Sequence, residues 1–174
     1  MRLKSFLVIL MCVLTALFSC ARAEVDEKEV LIGICDAIGG GYGKGVLYTS
    51  AETELEGHTF LKLTDAEFGF LYNGRKEPPG CFSRIAGYAV RIPSDESGYE
   101  IHVVKCRSLS DTDEVKQMLL CRVERLQGAE ILKYAPESYE AYFRGAEVFV
   151  KGSYVFLLAT PDNALARETV KKLL

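Results

Sequence analysis

Two histidines, the cysteines beyond the leader and a glycine-dense loop are the parts of this chain whose residue types could do chemistry. His58 and His102 are the side chains able to act as bases near neutral pH without large pKa tuning. A nucleophilic cysteine would need one of them within hydrogen-bond reach. His102 and Cys106 project to the same face of a predicted strand. Four residues of strand span roughly 13 Å, too far for such a bond. The expectation is a solvent-facing or structurally bonded His102, and a His58 in a polar loop.

Cys35, Cys81, Cys106 and Cys121 contain no C-x-x-C pair, so neither a zinc ribbon nor a thioredoxin motif is available. Cys35, Cys106 and Cys121 fall in apolar segments, where free cysteine behaves as a small hydrophobe. Buried free thiols are expected. At least one disulfide stays open as the alternative, since export permits it.

Gly39-Gly40-Gly41-Tyr42-Gly43-Lys44-Gly45 invites a phosphate-binding reading. A P-loop needs a glycine where Ile38 stands and a Ser or Thr where Gly45 stands, and it follows a strand rather than a helix. A flexible connector is expected instead. Asp111-Thr112-Asp113-Glu114 lacks the glycine and distal glutamate of a calcium loop and reads as a helix start. Arg122 and Arg125 read as a solvated helix face with salt bridges. Tyr139, Tyr142 and Phe143 sit at helical spacing near Pro136. They read as core packing or, if the domain binds a partner, as the first place to look for the contact. No catalytic, cofactor-binding or metal-ligating residue is assigned, and no cofactor is expected.

The elements that must position these groups follow from periodicity. Asp26 to Ile38 reads as a helix capped by Asp26, with Glu29 in capping-box position. Val46 to Tyr48 is a short strand, and Thr49 to His58 a polar connection. Thr64 and Glu67 form a capping box for a short helix through Tyr72. Ile85–Ile92 and Tyr99–Cys106 read as an antiparallel hairpin. Val115, Leu119, Val123 and Leu126 stripe a long helix from Asp111 to Tyr134, with Asp111 and Glu114 as its capping pair. Glu137 to Arg144 is a further helical stretch. Glu147–Val150 and Tyr154–Thr160 form a second hairpin through Lys151-Gly152-Ser153. Pro161-Asp162-Asn163 opens the last helix. The fold class predicted is α+β, with an antiparallel four- to five-stranded sheet and helices packed on one face.

The first residues locate the protein. Arg2 and Lys4 precede an apolar run from Phe6 to Phe18, and Ala21-Arg22-Ala23 matches an A-x-A cleavage pattern. The run is shorter than the roughly 20 residues a bilayer-crossing helix needs, so it reads as an export signal. Leu17-Phe18-Ser19-Cys20 resembles a lipobox, which would make Cys20 the acylated first residue; cleavage after Ala23 is the alternative. The predicted organisation is a signal over 1–23, or 1–19 in a lipoprotein. An N-terminal helix and glycine-rich loop follow over 24–43, and an α+β domain over 44–174. Loss of Arg2, Lys4 and Arg22 takes the 21 basic residues to 18 against 24 acidic, a net charge of −6. Such a balance disfavours nucleic acid and supplies no polybasic patch for anionic lipid.

Tyr99-Glu100-Ile101-His102-Val103-Val104-Lys105, the capped helix with Val115 and Arg125, Tyr134-Ala135-Pro136, and Val148 to Val155 together resemble the domain of unknown function 4358 family. Its members are small exported proteins and lipoproteins, mostly of Gram-positive anaerobes. The resemblance covers about residues 44–160 and is densest from Ile85 onward. It implies an extracytoplasmic α+β domain and brings no functional residues. The expected function is a non-catalytic envelope module, secreted or held on the outer face of the cytoplasmic membrane through a lipid at Cys20. Its partner would be an unidentified envelope protein. The alternative is a small extracytoplasmic hydrolase.

Overall fold

A computed structural model describes residues 25–94, 98–128 and 137–174. The leader, Cys20 and Tyr134 lie outside the described residues. The domain is α+β, with a single sheet of seven strands: β1 (Gly45–Thr49), β2 (Thr53–Leu55), β3 (His58–Lys62), β4 (Ile85–Pro93), β5 (Glu100–Cys106), β6 (Glu147–Lys151) and β7 (Tyr154–Ala159). Their spatial order is β2-β3-β1-β4-β5-β7-β6. The helices are α1 (Glu27–Ala37), α2 (Asp65–Asn73), α3 (Thr112–Leu126), α4 (Glu137–Arg144) and α5 (Asn163–Leu173).

This corrects the predicted four- to five-stranded antiparallel sheet. The sheet is mixed, because β1 pairs parallel with β3, placing Leu47 opposite Phe60 and Tyr48 opposite Leu61. The predicted polar connection from Thr49 to His58 in fact holds β2 and the start of β3. They turn at Glu56 and Gly57, both with positive φ. Glu52, Glu54 and Glu56 made the segment read as a loop. On an outermost strand such charges discourage pairing with another chain.

Helices cover both faces, not one. Alternation along the strands explains why. In β4, Tyr88 and Val90 enter one apolar cluster, with α2 and α3, while Ala89 enters the other. In β7, Val155 and Leu157 go one way and Phe156 and Leu158 the other. A strand buried on both sides reads as a continuous apolar run, so the run does not reveal how many layers cover it. α1 and α5 pack together on the second face, closely enough that a Cβ at Gly33 would lie 2.9 Å from Leu173. The N-terminal helix is thus part of the same packed body as the sheet. The hydroxyl of Tyr154 donates to the carbonyl of Val25 and fixes the start of this helix region to β7.

Local signals fixed several helix ends. Asp26 caps α1 by accepting from the Lys28 amide at 2.8 Å, while Glu29 is exposed. Thr64 and Glu67 form the reciprocal capping box of α2. Asp162 accepts from the Leu165 amide at 2.9 Å. The Asp111–Glu114 capping pair does not form. Asp111 accepts from Arg84 at 3.0 Å and from Ser108, and Glu114 is bound by Arg84 at 2.8 Å. A nearby guanidinium outcompetes the backbone amides for these carboxylates. The helix predicted to reach Tyr134 ends at Leu126, just before Gly128, the poorest ordinary helix former apart from proline. No helix among the described residues is long and apolar enough to cross a membrane.

Candidate functional site

The densest meeting of chemical groups lies inside the first apolar layer. Glu100 and His102 are two residues apart on β5 and therefore share a face. Arg122 comes down from α3 and Tyr72 from α2. Arg122 donates through Nε and Nη2 to the two Glu100 carboxylate oxygens, each at 2.9 Å. That carboxylate is 2.5 Å from Nε2 of His102, and Nδ1 of the same ring is 2.5 Å from the Tyr72 hydroxyl.

The electrostatics fix the protons. Burial disfavours the Glu100 anion, but Arg122 and then His102 outweigh it and hold its pKa well below the usual range. An ionised Glu100 must accept, so Nε2 carries the hydrogen and Nδ1 accepts from the Tyr72 O–H. Burial lowers the His102 pKa, against the opposing pull of Glu100, and the ring stays neutral at pH 7. Burial, with the Glu100 charge behind it, pushes the Tyr72 pKa well up.

Carboxylate, imidazole and hydroxyl in series is the connectivity of a nucleophile–base–orienter triad. Access decides against that use. His102 and Glu100 are fully buried and Tyr72 nearly so, which leaves no space for a substrate beside the hydroxyl. A tyrosine with a raised pKa is also a poor nucleophile. The arrangement holds a proton order and locks α2, α3 and β5 together. It resolves His102 into the structurally bonded alternative and moves Arg122 from the predicted solvated face to a nearly buried ion pair. The spacing of Glu100 and His102 was legible in the sequence; their partners on separate helices were not. Arg125 instead donates from Nη1 to the carbonyls of Phe70 and Leu71, where a cation complements the helix C-terminus.

A second buried cation, Arg91, lies on the other face of the sheet. Its guanidinium sits 3.7 Å above the Tyr99 ring and donates to the carbonyls of Tyr99 and Gly41, while Nε has no partner. The Tyr99 hydroxyl donates to the Gly40 carbonyl, and that of Tyr42 to Asp36 at 2.8 Å. Gly39, Gly40 and Gly41 all adopt positive φ, which glycine accepts without strain. The loop predicted as a flexible connector is thus tied to the core. A Cβ at Gly45 would lie 2.5 Å from the Arg91 guanidinium carbon.

Among the described residues, Cys35, Cys81, Cys106 and Cys121 are free thiols. Burial pushes Cys35 and Cys106 each up to about 11 and raises Cys81. None of these three is a thiolate at neutral pH. Cys121, predicted to be buried, is exposed instead, because it sits opposite the Leu119 and Val123 stripe. His58 begins β3 rather than lying in a loop. It stacks on Tyr42 at 3.9 Å between centroids, beside a shallow cleft of about 320 Å³. Of the aromatic candidates, Phe143 is fully buried and Tyr142 half-buried against the second cluster. These positions give packing. The side chain of Tyr139 lies outside the described residues.

An open apolar surface appears elsewhere. A groove of about 320 Å³ runs between α2 and the sheet, lined by Tyr48, Leu63, Glu67, Phe70, Leu71 and Ile92. Phe70 is 49% exposed and Leu61, opposite Tyr48 in register, is 41% exposed. This surface was not legible in the sequence, because its residues come from separate elements.

No protein-family model, curated protein or solved structure matches the chain.

Proposed function

We propose that the protein is an exported, non-catalytic binding module of the cell envelope. Its mature N-terminus is Cys20 carrying a lipid, or Glu24 after cleavage at Ala23. The resemblance of residues 44–160 to the domain of unknown function 4358 family belongs to this reading. The observation that carries it is an inversion of what an enzyme surface presents. The acid–base groups that meet, Glu100, His102 and Tyr72, are sealed in the core. The exposed concavity beside α2 is apolar, with Phe70 half out in solvent. Exposed aromatic and aliphatic side chains around a groove serve association.

The test is turnover by the purified mature domain on peptidoglycan, peptide and ester substrates. The expected result is none. A measured activity that falls about 100-fold in His58→Ala, at unchanged stability, has the scale of general acid–base catalysis and overturns the reading. Intact mass of the membrane-extracted protein separates the two N-termini, since only the lipoprotein carries acyl mass.

A further inference from the structure

We propose that the groove beside α2 receives a basic amphipathic helix from a partner protein. This rests on the binding-module reading and names the chemistry of its partner.

On the face where α2 and α3 pack, α3 lies against β5, β6 and β7. Leu47 and Phe60 point to the opposite face, so alternation turns Val46, Tyr48 and Leu61 toward this one. Ile92 stands opposite Val46 on β4 and joins them. On α2, Glu67, Phe70 and Leu71 stand at i, i+3 and i+4 and line the facing wall. One side of the groove is thus a helix and its floor is sheet, the setting that α2 and α3 themselves occupy further along the same face. A helix of about 11 residues would cover a five-residue strand, at 1.5 Å against 3.4 Å per residue.

The charge of the rim selects the partner. Glu67, in the first turn of α2, lines the groove. Glu54 pairs with Thr59 and so shares the face of Leu61. Arg125, at the far end, has its guanidinium engaged by the Phe70 and Leu71 carbonyls. Lys62 alternates to the other face with Phe60. An apolar floor with carboxylates at its edge complements a helix with a leucine-like stripe flanked by Lys or Arg, and repels an acidic one.

Two synthetic peptides test this, each about 18 residues or five helical turns, with the same leucine stripe and either lysine or glutamate elsewhere. Binding to the full mature chain is read by fluorescence anisotropy at physiological ionic strength. The lysine peptide should bind and the glutamate peptide should bind at least about tenfold more weakly, and Phe70→Ser should weaken the lysine peptide by about tenfold or more, as loss of an aromatic anchor does. Phe70→Ser should leave the unfolding midpoint unchanged. Glu54→Lys should reduce the preference for lysine. Equal binding of both peptides, or binding indifferent to Phe70→Ser, overturns the proposal. So does binding of phosphatidylglycerol vesicles that Phe70→Ser abolishes, which would make the groove a lipid-facing surface. Failure here with no turnover on any substrate removes the groove and spares the binding module. His58-dependent turnover removes the module whatever the peptides do.

Discussion

Arg122 on α3 clasps Glu100 on β5 with two parallel hydrogen bonds of 2.9 Å, joining a helix to the middle of the sheet. The carboxylate is buried and the guanidinium nearly so. Removing one partner of such a pair leaves a buried charge without compensation. Arg122→Met should therefore cost about 3–5 kcal/mol in urea unfolding. Adding Glu100→Gln to Arg122→Met should recover part of the loss. A single-variant loss under about 1 kcal/mol, the scale of an exposed ion pair, would show that the clasp is solvated.

Acid should weaken the fold in two windows. The His102 pKa is lowered on folding, so the unfolded chain binds the proton more readily. Stability is present above its unfolded value near 6.5 and falls as pH drops below it. The Glu100 pKa is also lowered, so its contribution is present above the unfolded value near 4.3 and is lost as pH falls further. Urea midpoints measured from pH 7.5 to 5 should decline in the native chain. The decline should be smaller in His102→Gln. A flat native profile over that range refutes the assignment of a neutral, buried His102.

Gly69 lies inside α2, where alanine is ordinarily favoured by about 1 kcal/mol. Here a Cβ would come within 2.5 Å of the carbonyl oxygens of Arg75 and Lys76. Backbone cannot swing aside as a side-chain tip can. Gly69→Ala should destabilise by about 1–3 kcal/mol despite the propensity gain, the usual cost of overpacking. A stabilised variant would place the 75–76 turn further from the helix.

Thiol titration separates the cysteines of the mature domain. Cys121 should react rapidly with a disulfide reagent in the native state. Cys35, Cys81 and Cys106 should react only on unfolding, being buried with raised pKa values. Fast native labelling lost in Cys121→Ser supports this placement; fast labelling that survives it overturns it.

Leu119 checks the helix face. It is fully buried in the first cluster, and Leu119→Ala should cost about 2–5 kcal/mol in urea unfolding. A loss under about 0.5 kcal/mol would move the stripe off the sheet.

Elements with a strong local signal were legible in the sequence: the Thr64–Glu67 capping box, the Val115–Leu126 stripe and the long β4 and β5 strands. What escaped was decided by tertiary contact. β2 and β3 are short and charged, so alternation could not rise above the glutamates. Asp111 and Glu114 looked like caps until Arg84, a residue from another segment, claimed them. The two-sided coverage of the sheet was hidden because a strand buried on both faces has no polar side to reveal it. The Tyr72–His102–Glu100–Arg122 series draws on three elements. Only the i, i+2 spacing within β5 announced half of it.

The pairing of α1 with α5 has a kinetic consequence. The first helix of the described chain leans on the last, and Tyr154 holds a carbonyl 129 residues upstream. Loop-closure entropy must be overcome before those distant contacts form, which slows folding. The side of α1 around Gly33 stays open until α5 packs on it, while its contacts with β4 and β5 do not need α5. A chain stopped before Asn163 would leave the α1 surface around Gly33 uncovered, so the eleven residues of α5 complete the packing of the eleven of α1.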